Sequence, residues 1–323
     1  MPLVPMAQVL DEAAKGGYGV GAFNVNNMEQ IQAIAMAAQK NSSPVIIQAS
    51  RGALKYTNLV YLKHLVNAAV EENPHLPIVV HLDHGTVETA KTAIALGFTS
   101  VMIDGSHFPF DENVRLTREV VEYAHAHGVS VEAELGTLGG IEEDVQGDVQ
   151  LTDPAQAEEF VERTECDALA VAIGTSHGAY KFKSEPTLAL DLVSEIRKRT
   201  NVPLVMHGSS SVPRDLVACV NRYGGCLQDT FGVPIEAIQA AIGMGVSKIN
   251  VDTDLRLAAT AAVRRVFGEE PEKFDPRDYM GPARQAMAEV VGLRMRQFGC
   301  AGHADDYRPS TLEDYRRLYA ARR

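Results

Sequence analysis

Residues 77–85 read Pro-Ile-Val-Val-His-Leu-Asp-His-Gly. A short run of Ile and Val whose polar side chains fall at the carboxyl end is the pattern of a strand buried on both faces in a parallel sheet. In α/β barrels, that end of a strand carries the catalytic groups. Here it offers His81, Asp83 and His84. A lone histidine at a strand end is most often a hydrogen-bonded structural residue. Two histidines with an aspartate direct attention to whether other strands point matching residues at the same place.

Working outward, seven further runs have the same form: residues 19–24, 44–50, 100–106, 130–136, 167–175, 203–210 and 248–254. The intervening segments carry apolar residues at i, i+3, i+4 spacing, the signature of amphipathic helices. No Pro-, Gly- or Ser-rich linker interrupts the series. Strand alternating with helix eight times predicts an α/β protein built as a single (β/α)8 TIM barrel. Residues 1–323 then form one catalytic domain, with a C-terminal helical extension over about 255–323. That extension reads as a helix over 255–267, a Pro-rich turn over 269–282, a last helix over 283–299 and a polar tail lying on the barrel or in a subunit contact. Asp153 and Pro154 predict an N-cap and first helical residue, followed by acidic residues in the first turn; Gly97 and Gly128 stand where helices should end.

The 323 residues are 46% hydrophobic, enough for a large core, and carry a formal charge of −12. An acidic exterior lacks the basic field that nucleic acid or an anionic membrane requires, so neither is expected as a partner. A phosphorylated substrate stays compatible, since a pocket can be positive locally. The N-terminal residues show no secretory signal pattern and no run approaches about 18 apolar residues, which predicts a cytoplasmic protein. Cys166, Cys219, Cys226 and Cys300 show no CxxC pair or framework spacing and read as free thiols.

Nearly every predicted strand ends in polar residues: Asn24, Ser50, Asp83 with His84, Asp104, Glu132 with Glu134, His177 with Gly178 and Lys181, His207 through Ser211, and Asn250 with Asp252 and Thr253. Three histidines, His84, His177 and His207, thus converge from strands three, six and seven, the ligand count of a catalytic zinc site with open positions. His64, His75, His125 and His127 fall on helices or loops and read as solvated surface. Glycines and hydroxyls after strands seven and eight, with Lys181 available as a donor, suit a phosphate pocket. A metal polarising a hydroxyketone, beside Asp83 as proton shuttle, suits retro-aldol cleavage. A Schiff-base mechanism would need a desolvated strand lysine, and Lys248 reads as lying at the amino end of strand eight, away from the site.

The ordered series YGVGAFNVNNMEQIQ, HLDHG, SVMIDGSH, VEAELGTLGGIEED, AIGTSHGAYKF, HGSSSVP, KINVDTDLR and FDPRDY resembles the class II, metal-dependent fructose-1,6-bisphosphate aldolases over almost the whole chain. The resemblance implies a cytoplasmic homodimeric lyase of glycolysis and gluconeogenesis that holds catalytic zinc, with a second divalent or a monovalent cation as a further implication. It assigns His84, His177 and His207 as zinc ligands and Asp83 as the acid/base at the C4 hydroxyl. Glu134, and more loosely Asp104, correspond to acidic residues near a second metal position. Glu142 corresponds to the loop glutamate that exchanges a proton on the dihydroxyacetone phosphate carbon. Gly178, Lys181, Gly208, Ser210, Asn250 and Thr253 correspond to the C1-phosphate pocket, Asn250 lying near the enediolate. Asp252 is similar to a substrate-hydroxyl contact, Arg256 to an arginine reaching the distal phosphate in a neighbouring subunit, and Ser50 to a further contact with that phosphate.

Alternatives are a tagatose-1,6-bisphosphate aldolase, in which a small residue usually replaces Asp252, sedoheptulose-bisphosphate activity, and a non-catalytic regulatory subunit, which should have lost ligands that are present here. A metal-dependent hydrolase would not need two phosphate sites.

Overall fold

The structure is a computed structural model that describes residues 3–139, 141–142, 145–146, 150–176, 186–228 and 231–322, with backbone alone at 141–142 and 145–146. Eight parallel strands close into a barrel: β1 (Val20–Asn24), β2 (Val45–Ser50), β3 (Ile78–Gly85), β4 (Ser100–Ile103), β5 (Ser130–Leu135), β6 (Ala168–Val171), β7 (Leu204–Met206) and β8 (Val246–Val251). Each pairs with its neighbours in sequence, and β1 pairs with β8 to complete the ring. All eight strands expected from the sequence are present. Several end earlier than expected, so Asp104, His207 and Asp252 lie just past their strands, where the backbone turns toward the next helix.

The helices are α1 (Met6–Gly16), α2 (Met28–Lys40), α3 (Arg51–Thr57), α4 (Leu59–Glu72), α5 (Val87–Ala95), α6 (Phe110–His125), α7 (Pro154–Thr164), α8 (Leu190–Thr200), α9 (Arg214–Arg222), α10 (Ile235–Met244), α11 (Thr253–Glu269), α12 (Pro276–Phe298) and α13 (Leu312–Arg322). Local chemistry fixes several starts. Asn27 caps α2 by accepting from Gln30 N at 3.0 Å, and Thr86 and Thr89 form a reciprocal capping box on α5. Asp153 caps α7 as expected, accepting from Ala155 N and Gln156 N, with Pro154 at the first position. The acidic residues expected in that first turn stand later, at Glu158 and Glu159.

Helix α1 closes the amino-terminal mouth of the barrel. Its Ala7 N–H donates to Ser130 Oγ at 3.0 Å, Val4 N donates to Ile78 O, and Met6, Val9 and Leu10 are wholly buried. The polar tail packs beside it: Tyr315 and Tyr319 of α13 form a small cluster with Ala7. This corrects the reading of His125 as solvated. It is buried, its Nε2 lies 2.9 Å from Asp167 Oδ2, and its ring stacks on Tyr319 at 3.6 Å between centroids. The sequence spacing gave no sign of this because the partner ring comes from the far end of the chain.

The last long helix also begins earlier than expected, at Pro276 and not Ala283. Asp275 caps it by accepting from Arg277 N at 2.9 Å, and Pro282 is carried inside. An interior proline forfeits one backbone hydrogen bond; packing of α12 along α2 and α11 offsets the loss. At that packing, Arg294 of α12 donates through Nε and Nη2 to Asp254 Oδ2 at 3.0 and 2.8 Å, with both side chains buried. Asp254 also accepts from Ser211 N and Val212 N, tying the loop after β7 to the base of α11.

Removing one partner of a buried pair leaves an uncompensated charge. Arg294→Met should therefore lower stability by about 3–5 kcal/mol, whereas breaking the exposed Arg199–Glu158 pair should cost less than about 1 kcal/mol. Urea denaturation of both variants measures this, and equal small losses would contradict the assignment.

Candidate active site

A strand alternates its side chains between faces, so residues two apart share the barrel interior. Four strands use this to place polar pairs inside: Gln48 and Ser50 on β2, His81 and Asp83 on β3, Glu132 and Glu134 on β5, Lys248 and Asn250 on β8. The lower members His81, Glu132 and Lys248 are fully sealed from solvent. The upper members Asp83, Glu134 and Asn250 lie nearer the carboxyl-terminal mouth. Contacts run across the lumen: Lys248 Nζ is 2.9 Å from Glu132 Oε2 although β8 and β5 are not neighbours.

Asp83 and His84 are consecutive, yet both face the mouth. The register between β3 and β4 shifts between Leu82 and Gly85, and His84 takes a left-handed φ of 47°. Such an irregularity re-aims a side chain that regular alternation would send outward, and strain of this kind in a non-glycine residue concentrates at functional sites. Gly85 permits it, since a Cβ there would meet the Met102 carbonyl oxygen at 2.5 Å.

His84 Nε2 and His207 Nδ1 approach to 3.1 Å. Each ring is held from behind by a carboxylate: His84 Nδ1 lies 2.9 Å from Asp104 Oδ2, and His207 Nε2 lies 2.7 Å from Glu132 Oε1. A carboxylate behind an imidazole whose other nitrogen faces a shared point is the support that metal-ligating histidines have. Glu134 Oε2 stands 3.8 Å from His207 Nδ1, and Asp83 Oδ1 4.0 Å from His84 Nε2. Asp83, His84 and His207 each offer a ligand atom within 4.8 Å of the others, as do His84, Asp104 and Glu134. Imidazole nitrogens with flanking carboxylates fit a divalent cation of the zinc kind.

Burial alone would raise the pKa of Asp104, but the hydrogen bond and charge of His84 and bonds from Ser106 hold it well below the usual carboxylate range. Glu132 behaves likewise: burial opposes its charge, and the Lys248 ammonium and the His207 hydrogen bond overcome it. His81 is neutral, pushed down to about 3 by burial and then by Lys248; its Nδ1 sits 2.8 Å from Ser100 Oγ and its Nε2 3.4 Å from Glu132. It belongs to the layer beneath the site.

Asp83 is oriented by three amides. Asn24 Nδ2 donates to its Oδ2 at 2.9 Å, Gln48 Nε2 at 3.2 Å, and Asn250 Nδ2 faces Oδ1 at 3.4 Å. Beyond the strands, Ser210 Oγ accepts from Asp252 N and Thr253 N, joining the loops after β7 and β8. Gly208, at φ 62°, lies so close to Ser176 that a Cβ would stand 2.5 Å from its carbonyl oxygen. Asp252 pairs with Arg256, whose side chain is 62% exposed. Ser50 ends β2 and caps α3 by accepting from Ala53 N at 3.4 Å.

The structure thus brings Asp83, His84, His207, Asp104, Glu134 and Asn250 together, with Ser50, Gly208, Ser210 and Asp252 on a strand end and loops, and Thr253 and Arg256 in the first turn of α11, at the same mouth. His177, Gly178 and Lys181 lie outside the described residues, as does the side chain of Glu142, whose backbone pairs Ile141–Glu142 with Val145–Gln146. Lys248 is a correction: β8 begins at Val246, so the lysine sits within the strand and inside the lumen, beneath the site. Gln48 and Lys248 are supporting residues that reading strand ends alone missed, while Asn24 and Glu132 stood among the strand ends without an assigned role. Their signal was polarity at alternate positions of otherwise apolar runs. Cys166 is buried with its thiol pushed up to about 12 by burial, which leaves it unreactive.

Comparison with known proteins agrees with this geometry. Residues 4–303 match the family model described as fructose-bisphosphate aldolase class-II. The chain is 63% identical to a fructose-bisphosphate aldolase of Giardia intestinalis over 322 residues, covering 99% of this chain and 100% of that one. It is 53% identical to one of Nostoc commune over 345 residues, covering 99% and 96%. Among solved structures, the YdjI aldolase of Escherichia coli K12 superimposes with a TM-score of 0.78 at 33% identity, covering 94% of this chain and 99% of that one. With a family match across nearly its whole length, and a barrel mouth built of paired imidazoles, carboxylates and amides, the chain belongs to the class II fructose-bisphosphate aldolases.

Proposed function

We propose that the protein cleaves D-fructose 1,6-bisphosphate reversibly to dihydroxyacetone phosphate and D-glyceraldehyde 3-phosphate, as a zinc-dependent cytoplasmic homodimer serving glycolysis and gluconeogenesis. The observation that carries this reading is the 3.1 Å approach of His84 Nε2 to His207 Nδ1, each ring backed by its own carboxylate, beside an Asp83 held by three amides. His84 and His207, with His177 as third ligand, would hold the ion, which supplies electrophilic polarisation of the ketose oxygens. Glu134, and Asp104 behind His84, provide the acidic side on which a second cation would sit.

The remaining steps belong to the chain's own side chains. Asp83 takes the proton from the C4 hydroxyl as the C3–C4 bond breaks, and returns it in the condensation direction. The three amides keep its carboxylate aimed at that hydroxyl, which is positioning energy spent before substrate arrives. Asn250 donates to the oxygens of the enediolate. Glu142 exchanges the proton on the dihydroxyacetone phosphate carbon. Gly208, Ser210 and Thr253, with Gly178 and Lys181, bind the C1 phosphate, Thr253 standing at the amino end of α11 where backbone N–H groups favour an anion. Asp252 contacts a substrate hydroxyl and favours the fructose over the tagatose epimer. Arg256, exposed on α11, reaches the distal phosphate of a neighbouring subunit's site, and Ser50 contacts that phosphate too.

The purified protein should cleave fructose 1,6-bisphosphate faster than its tagatose epimer and lose activity to a strong chelator, and borohydride with substrate should not trap it. Chelator-insensitive turnover or a borohydride adduct would overturn the mechanism, and preference for tagatose would overturn the substrate. Asp83→Asn should keep bound metal while losing about 10²- to 10⁴-fold in turnover, whereas His84→Ala should weaken metal binding itself. Metal analysis beside steady-state kinetics separates the two; undiminished metal affinity in His84→Ala would contradict the ligand assignment.

A further inference from the structure

Lys248 has no part in the chemistry above, yet among the described residues no other lysine is buried. It sits in the middle of β8, opposite Val20 of β1 and Val205 of β7, and its side chain is fully sealed from solvent. An ammonium in the barrel interior carries a desolvation cost that a Met or Leu of similar volume would avoid. What it touches accounts for its presence. Its Nζ is 2.9 Å from Glu132 Oε2 and 2.8 Å from Asn250 Oδ1.

An ammonium only donates hydrogen bonds, so the contact with Asn250 is directional, while the contact with Glu132 is an ion pair. The Asn250 atom facing Lys248 is its oxygen, and the amide NH2 is thereby turned the other way, to 3.4 Å from Asp83 Oδ1. On the other side, Lys248 keeps Glu132 compensated as an anion, and the second oxygen of Glu132 lies 2.7 Å from His207 Nε2. A carboxylate there places the imidazole proton on Nε2 and leaves the Nδ1 lone pair pointing at His84 Nε2, 3.1 Å away. One cation beneath the mouth is therefore joined to both of its halves.

We propose that Lys248 is a positioning residue with two arms: through Glu132 it fixes His207 as an Nδ1 donor, and through Asn250 it fixes the amide that faces Asp83 and the substrate. The inference rests on the reading of the site as a metal-dependent aldolase. It assigns Lys248 no covalent step; the lysine neither attacks substrate nor transfers a proton.

Two variants of the full-length protein separate the arms, with Co2+ added to metal-stripped protein as the probe. In Lys248→Met both arms are lost: the Co2+ dissociation constant should rise about tenfold, the visible absorption of the bound ion should change, and kcat should fall. The double variant Lys248→Met/Glu132→Gln removes both buried charges while the glutamine oxygen still accepts from His207 Nε2. Its Co2+ affinity and spectrum should return to within roughly threefold of wild type, while kcat stays down about tenfold or more with KM changed much less. If the single variant does not fold, the double variant decides alone. A residue that merely fills the core would lower thermal stability and leave the Co2+ spectrum and kcat unmoved. Wild-type Co2+ binding in Lys248→Met, or wild-type kcat in the double variant, overturns the proposal. Wild-type protein that binds Co2+ but fails to cleave fructose 1,6-bisphosphate would overturn the functional reading alone, with the Co2+ measurements still deciding the His207 arm.

Discussion

Glu132 and Lys248 lie 2.9 Å apart inside the barrel, both closed off from water. Either charge alone would cost roughly several kcal/mol in such a place, and mutual attraction offsets that cost only when the remaining hydrogen-bonding capacity is also used. Here it is used upward, toward the mouth. The pair is available because the two-residue period of a strand admits no exceptions within regular sheet: whatever carries Glu132 into the lumen carries Glu134 there as well, and Lys248 brings Asn250. The floor of the site and the site itself are consequences of one register.

Where the chemistry requires a departure from that period, the backbone departs from it. Asp83 and His84 both face the mouth because β3 shifts register beside β4 and His84 accepts a left-handed conformation, at a cost on the order of 1–3 kcal/mol. The surrounding contacts over-determine that conformation: His84 is held by Asp104, and Gly85 lets the Met102 carbonyl pass close by. The result is a set of donors and acceptors braced by one another, the arrangement on which electrostatic catalysis draws. Loops joined by Ser210 and by Asp254 surround it.

The barrel was legible because parallel strands buried on both faces appear as apolar runs, and because their functional side chains collect at one end. Asp83, His84 and His207 could be picked out on that basis. Lys248 could not: strand pairing begins at Val246, and nothing in the local sequence marks where the ladder with β7 starts. A displacement of two residues turned a lumen lysine into one at the wrong face. Asn24 and Gln48 were passed over as holders of Asp83 because their contacts cross from one strand to another, and His125 because its stacking partner Tyr319 is supplied by the last helix. The role of Glu142 comes from family resemblance alone, whereas His177, Gly178 and Lys181, read at the end of strand six, lie outside the described residues.

Imidazole nitrogens braced by carboxylates are the proposed metal site at the barrel mouth. X-ray absorption at the zinc edge of the zinc-loaded protein tests it directly. Ligation by these imidazoles should give a first shell of nitrogen and oxygen with imidazole scattering at about 2.0–2.1 Å. A sulfur shell at about 2.3 Å, or an oxygen-only shell without imidazole scattering, would contradict it.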